Sequence, residues 1–259
     1  MSLVVTDFRD QIGWITMDHD VKRNALSFEM LCNLIDALDE MMMRKARVVI
    51  LRANKGTKVW SAGFNIEELP RDGSDPLAYD NPLQKVIRSI IDFPAPVIAM
   101  AEGSIWGGAC NIAFVCDMVI GTPRTSLAIT PAKIGVPYNT SGILQFIDII
   151  GAHTAKEMFF TAEPISAEKA LTLGILNHVV PAEELEAFTI RMAEKILENS
   201  PLSIRVIKQQ LNILGNALPL SPQTFEHIDM LRRVAGNSKD YLEGLNAFFE
   251  KRKPEFKGE

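Results

Sequence analysis

"PVIAMAEGSIWGGACNIAFVCDMVIGT", residues 96–122, holds the plan of the chain in one stretch. "PVIAM" is a short apolar run with the composition of a strand buried on both faces. "GGACNIAFVC" follows as a helix that starts at its glycines, and "DMVIGT" returns as a strand. Strand, helix, strand in that order makes a parallel pairing. Two features break the pattern. Gly107 and Gly108 weaken any regular element that contains them. Asn111 places an amide in an otherwise apolar segment. Both need a reason.

The same reading extends in both directions. "VVTDF" and "IGWITMD" predict a hairpin with its turn at Gln11–Gly13. Ser27 has N-cap chemistry, and Met30, Leu31, Leu34, Ile35 and Leu38 recur after it at helical spacing. "ARVVILRA" (46–53) is a second doubly buried strand. A loop and turn region, "NKGTKVWSAGFNIEELPRDGSD", leads to a predicted helix over 77–93. Past about residue 140 the patterns turn helical: "SGILQFIDIIG", "HTAKEMFFTA", "SAEKALTLG", "AEELEAFTIRMAEKILEN", "PLSIRVIKQQLNILGNAL" and "SKDYLEGLNAFFEKRKP". One short strand, "LNHVV", interrupts them. The expectation is an α/β core over 1–195 and a helical region over 196–259.

Composition excludes several classes. The 259 residues are 47% hydrophobic and 23% charged, as in ordinary globular proteins. A net charge of −5 argues against nucleic acid, whose phosphates need a basic face. No window approaches an uninterrupted membrane-spanning length. "MSLVVTDFRD" lacks the basic and apolar regions of a signal peptide. Cys32, Cys110 and Cys116 form no CxxC pair and no even framework, so a reduced, cytoplasmic protein is expected. His19, His153, His178 and His227 have no ligand spacing, and no metal site is expected.

Two places bring a glycine after a strand, "WSAGFNIEEL" and "GSIWGGACN". Such junctions present backbone N–H groups without an intrahelical partner. Those groups bind anions, and oxygens that become anionic during a reaction. One junction is ordinary turn chemistry; two can converge on one oxygen.

"SAGFNIEEL" looks like the pattern AGxD followed by a short helix, and "IWGGACN" looks like xGGGxE. With "ARVVILRA", "FPAPVIAMAEG" and the terminal "FFEKRKP", the ordered set resembles the crotonase, or enoyl-CoA hydratase/isomerase, superfamily over essentially the whole chain. The resemblance implies a spiral ββα core and a C-terminal helical trimerisation region. It implies a homo-trimer, or a hexamer as a dimer of trimers. The implied substrate is an acyl-CoA thioester, CoA being part of the substrate and no separate cofactor being needed. The thioester oxygen would be held by the N–H groups of Phe64 and Gly108. Ala62, Gly63, Asn65, Ile66 and Gly107 would border the substrate.

Hydratases of that superfamily carry two glutamates for proton transfer. Their positions fall here on Asn111 and on Pro131 or Ala132, none of which titrates near neutral pH. Glu102 and Asp117 are off register, in places suited to turns or caps. One reaction needs no base. In a malonyl-type thioester, loss of CO2 leaves the electrons of the broken C–C bond in the enolate. "KVWSAGFNIEELPRDGSDPLAYDNPL", "EGSIWGGA", "TPAKIGVPYN" and "ILNHVV" are similar to a bacterial decarboxylase subgroup that turns methylmalonyl-CoA into propionyl-CoA. There the tyrosine of "GVPYN", here Tyr138, is a proposed catalytic group, and Thr130 is at a substrate-contact position. A core aromatic, and a threonine bonding its own backbone, are the competing roles.

Departures from the subgroup are also implied. Its members carry histidine at Phe64 and glutamate at Asn111, and the wider family has aspartate at Asn65. Asn65 with Glu68 three residues on also reads as a capping box. Lys22 and Lys251 lie where the family places lysines near CoA. The alternatives to decarboxylation are enoyl-CoA hydration or isomerisation, and CoA-thioester binding without catalysis.

Overall fold

The computed structural model describes residues 2–70, 75, 78–215 and 222–257. Residue 77, part of the polar turn before it, and the end of "PLSIRVIKQQLNILGNAL" lie outside the described residues. The helix expected over 77–93 is shorter than expected: residues 78–81 form a turn, and the helix runs Pro82–Ile91 with Asn81 as its N-cap.

Strands β1 (Val4–Arg9) and β2 (Ile12–Met17) form the expected hairpin. The turn, however, is Asp10–Gln11, at φ 51° and 63°. Gly13 lies inside β2, opposite Phe8 and beside Val49. Its reason is packing: an added Cβ would fall 2.4 Å from the Met41 sulfur of helix α1 (Phe28–Met43). That helix starts as expected, with Ser27 Oγ accepting from Met30 N–H at 3.2 Å.

The larger sheet continues from β2 through β3 (Val48–Ala53), β5 (Val97–Ala101), β7 (Met118–Gly121) and β10 (His178–Val179), all parallel. Successive side chains of β3 enter different clusters. Val49 and Leu51 meet α1, α2 (Pro82–Ile91) and α3 (Gly108–Val115). Val48 and Ile50 join Trp14, Ile98 and Ile120 under Leu185 and Ala193 of α6 (Leu185–Leu197). Coverage of both faces explains why these strands read as unbroken apolar runs.

A smaller sheet holds β4 (Val59–Ser61), β6 (Ser104–Trp106), β8 (Ser126–Ala128) and β9 (Ile165–Ser166), in that order. The first three are parallel and three residues long. Runs that short carry no readable periodicity. Strand β4 falls inside the stretch expected to be loop and turn, and β6 and β8 have no sequence expectation.

Helix α4 (Thr140–Thr161) is broken at Gly151, φ 72°, which divides the two helical patterns read there. Beyond it lie α5 (Ala167–Thr172), α7 (Pro201–Gly215), α8 (Pro222–Gly236) and α9 (Lys239–Phe249). The mostly polar α8 was not anticipated. Helix α7 is pinned by Lys208, whose buried ammonium donates to Ile90 O and Ala95 O at 3.1 Å and to Asp117 Oδ2 at 2.8 Å. No helix among the described residues is long and apolar enough to cross a membrane.

Candidate active site

The site begins where β4 and β6 end. They are parallel neighbours, with Ser61 opposite Ile105, so their C-terminal ends lie side by side. The chain leaves β4 through Ala62, Gly63 and Phe64, and leaves β6 through Gly107 into α3. The two glycine junctions meet. Gly63 has φ 81°, and a Cβ there would fall 2.4 Å from Trp106 O and 3.3 Å from Gly108 N. A Cβ on Gly108 would lie 3.7 Å from Phe64 N. At Gly63 only bare backbone allows this approach; at Gly108 the nearer obstacle to a Cβ is the Leu83 methyl, at 3.0 Å.

Both amide groups at the junction are available. Phe64 sits opposite Leu26 in a single parallel bridge. That bridge uses Leu26 N–H to Gly63 O at 2.8 Å and Asn65 N–H to Leu26 O at 3.2 Å. Phe64's own N–H has no hydrogen-bond partner among the described residues. Gly108 is the first residue of α3, so its N–H has no acceptor within the helix. The positive end of the helix dipole stands behind it.

A cleft opens at this pair of donors. Of the residues named from the sequence, Ala62, Phe64, Ile66, Gly107, Gly108, Asn111, Thr130 and Tyr138 line it. Gly63 shapes the junction from behind. Asn65 does not line the cleft: its Oδ1 accepts from Glu67 N–H at 3.3 Å, capping the short turn Ile66–Glu68. The expected Asn65–Glu68 pair forms through the side chains, Asn65 Nδ2 donating to Glu68 Oε1 at 2.9 Å, while the Asn65 backbone N–H goes to Leu26 O. Glu68 Oε2 also accepts from Phe28 N–H at 2.6 Å, at the first turn of α1. Lys22 is exposed, 4.0 Å from Glu67 Oε2, and Lys251 is exposed just past α9; neither lines the cleft.

Tyr138 stands at the inner end. Its ring packs edge-on against Phe146 and Phe159, with centroids 5.9 and 5.0 Å away. Its hydroxyl donates to Asn111 Oδ1 at 3.2 Å. Burial pushes the phenol's pKa well above 10, so it is held protonated. The buried Asn111 amide in turn donates to Gln145 Oε1. Thr130 makes no side-chain cap to the turn that follows it, and its Oγ1 lies 3.5 Å from where a Gly107 Cβ would be. The role of a threonine capping its own backbone is therefore not the one adopted.

One wall is apolar: Phe64, Ile66, Leu69, Ile134 and Val136 pack with Tyr241 and Leu245 of α9. Gly244 lets α9 press in, since a Cβ there would be 2.4 Å from Ile134 O. Among the described residues, no carboxylate lines the cleft. Pro131 lines the cleft where a hydratase glutamate was sought. Glu102 accepts from Gly56 N–H at 2.8 Å, and Asp117 accepts from Val97 N–H at 2.7 Å and from the Lys208 ammonium. Both act across the fold, and the turn or capping role expected of Asp117 is not the one it takes. Among the described residues, no group of His, Cys, Asp and Glu is placed to hold a metal ion.

Sequence reasoning missed Leu69, Leu83, Ile134, Val136 and Asn139 of the lining, and Gln145 behind Asn111. Gln145 had a signal, a lone amide inside "SGILQFIDIIG". Leu83 had none, because α2 is built like any amphipathic helix.

Residues 7–259 match the family described as enoyl-CoA hydratase/isomerase. Methylmalonyl-CoA decarboxylase of Escherichia coli (strain K12) is 47% identical over 249 residues, 96% of this chain and 95% of that protein. A solved structure of methylmalonyl-CoA decarboxylase in complex with 2-nitronate-propionyl-CoA is 46% identical. It covers 99% of both chains with a TM-score of 0.97. Another, complexed with 2S-carboxypropyl CoA, is 45% identical, covers 100% of this chain and 99% of its own, and also has a TM-score of 0.97.

Proposed function

The chain belongs to the enoyl-CoA hydratase/isomerase family, and from that premise we propose that it decarboxylates methylmalonyl-CoA to propionyl-CoA and CO2. Its fold is the crotonase fold, as expected. One observation carries the reading. Among the described residues, two unpartnered backbone N–H groups border a cleft whose polar lining is amides and hydroxyls, with no carboxylate. Adding water to an enoyl thioester needs groups that take and give protons, and Asn111 does neither.

Decarboxylation needs less. The thioester oxygen sits between Phe64 N–H and Gly108 N–H. The bond from C2 to the carboxylate carbon breaks, and its electron pair enters the thioester as an enolate. The two N–H groups stabilise the charge on that oxygen, typically worth 10²–10³ in rate per donor, on the order of magnitude found elsewhere. CO2 leaves, Tyr138 gives C2 a proton, and solvent restores the phenol. Thr130 and Asn111 border the carboxylate. The thioester itself is the electron sink, so no cofactor takes part.

The rest of the proposal concerns the CoA portion and the assembly. Lys22 and Lys251 meet the CoA phosphates, being exposed cations at the places the family resemblance marks. Residues 1–195 form the core that carries the two N–H donors, and 196–259 the helical assembly region, from which α9 closes the apolar wall of the cleft. Leu202, Ile207, Leu211 and Leu214 of α7 are more than half exposed, which supports a homo-trimer or a dimer of trimers. Three unpaired cysteines fit a cytoplasmic setting.

The test is a direct comparison of substrates. Methylmalonyl-CoA is expected to give CO2 and propionyl-CoA. Hydration of crotonyl-CoA at the greater rate would replace this reading with the hydratase one. Tight CoA binding with neither reaction would replace it with a binding protein.

A further inference from the structure

Tyr138 and Asn111 at the inner end of the cleft, with Gln145 behind them, form a chain with one direction. Tyr138 O–H donates to Asn111 Oδ1 at 3.2 Å, and Asn111 Nδ2 donates to Gln145 Oε1. Asn111 is 1% exposed, so its amide cannot turn to water for a partner. In this direction the phenol proton is spent on Asn111. Tyr138 then offers the cleft only lone pairs, which repel a carboxylate or an enolate.

The same heavy atoms support the opposite direction. A half-turn of each amide exchanges its oxygen and nitrogen and moves nothing else. Gln145 then donates to Asn111, Asn111 donates to the Tyr138 oxygen, and the phenol proton is released toward the cleft. The number of hydrogen bonds within the chain is unchanged. No group titrates, which suits a phenol held protonated. An ionised carboxylate at either amide position would accept only, and would hold the chain in one direction.

We propose that Gln145, Asn111 and Tyr138 form a reversible hydrogen-bond relay, in which Gln145 acts through the Asn111 amide to release the Tyr138 proton to an anionic substrate. Gln145 is thus a positioning residue, and the proposal rests on the decarboxylase reading above. An anion in the cleft favours the released direction; the empty cleft allows either.

The released direction needs a donor at residue 145. Methionine matches glutamine in length and offers only a weak acceptor. Gln145→Met is expected to lower kcat for methylmalonyl-CoA by about tenfold, the scale of one hydrogen bond, with KM little changed. In a Tyr138→Phe background the same substitution is expected to change kcat by less than about twofold, because the two residues act as one unit. Equal losses in both backgrounds overturn the relay. A second readout needs no activity. With only Tyr79, Tyr138 and Tyr241 in the chain, ring-carbon NMR of ¹³C-tyrosine protein resolves Tyr138, assigned by Tyr138→Phe. Gln145→Met is expected to shift the Tyr138 Cζ resonance and leave the other two in place. An unmoved Tyr138 resonance ends the proposal. If the wild type leaves methylmalonyl-CoA intact, the decarboxylase reading fails by itself, and the Tyr138 resonance alone decides the relay.

Discussion

Gly108 answers the question raised by the paired glycines. It is bare where the backbone meets Phe64, and it carries an N–H with no helical acceptor. Those two properties can be separated. Gly108→Pro removes the donor at the first helical position, where proline is otherwise well tolerated. It is expected to lower kcat/KM by roughly 10²–10³ with the helix content unchanged by circular dichroism. Gly108→Ala keeps the donor; its Cβ would press on the Leu83 methyl at 3.0 Å and make ordinary contact with Phe64 N at 3.7 Å and Phe64 Cβ at 3.8 Å. Its activity is expected to stay well above that of the proline variant. Tyr138 gives a prediction in pH. Its pKa is raised by burial, so the neutral phenol persists through the ordinary tyrosine range. The kcat profile should show no ionisation limb from Tyr138 up to about pH 10, and Tyr138→Phe should lower kcat by about 10² across the range. At this scale the sequence was informative where chemistry is absent. Asn111 and Pro131 stood out as residues that cannot titrate. Gln145 did not stand out as a partner, because its meaning depends on a contact across 34 positions.

Short elements carry the geometry. The three-residue strands β4 and β6 bring the oxyanion donors together, yet neither has enough length to show a period. The doubly buried strands β3 and β5, by contrast, were legible from their unbroken apolar runs. The turn of the first hairpin was displaced from Gly13 because a glycine's freedom and a glycine's small size leave the same letter. The size argument returns at Gly142, in the first turn of α4. A Cβ there would fall 2.4 Å from Asn139 Oδ1, 2.5 Å from Tyr138 Cε1 and 2.8 Å from Asn111 Oδ1. Gly142→Ala is therefore expected to lose about 1–3 kcal/mol of stability by denaturant titration. It should lose activity as well, since the displaced atoms belong to the site. Lys208 gives the control away from the cleft. Removing its ammonium leaves Ile90 O, Ala95 O and the Asp117 carboxylate without their shared donor. Lys208→Met should cost about 3 kcal/mol, while folded protein keeps its kcat.

At the scale of the whole molecule, the larger sheet is covered on both faces, and α7 keeps an uncovered apolar face. Ile207 and Leu211 lie one turn apart on α7, exposed by 53% and 64%. Ile207→Asp with Leu211→Asp is expected to reduce the mass by light scattering from that of a trimer or hexamer to that of a monomer. The α/β core and the helical C-terminal part were both visible in the alternation of patterns. The uncovered face was not, because an apolar stripe reads alike whether its cover comes from the same chain or another. The account's central claim is that the cleft makes an enolate by losing CO2 and not by removing a proton. Mass spectrometry of methylmalonyl-CoA turnover in D2O tests it most directly. The prediction is propionyl-CoA with one deuterium at C2, formed in step with CO2. Unchanged methylmalonyl-CoA, beside hydrated crotonyl-CoA under the same conditions, would contradict it.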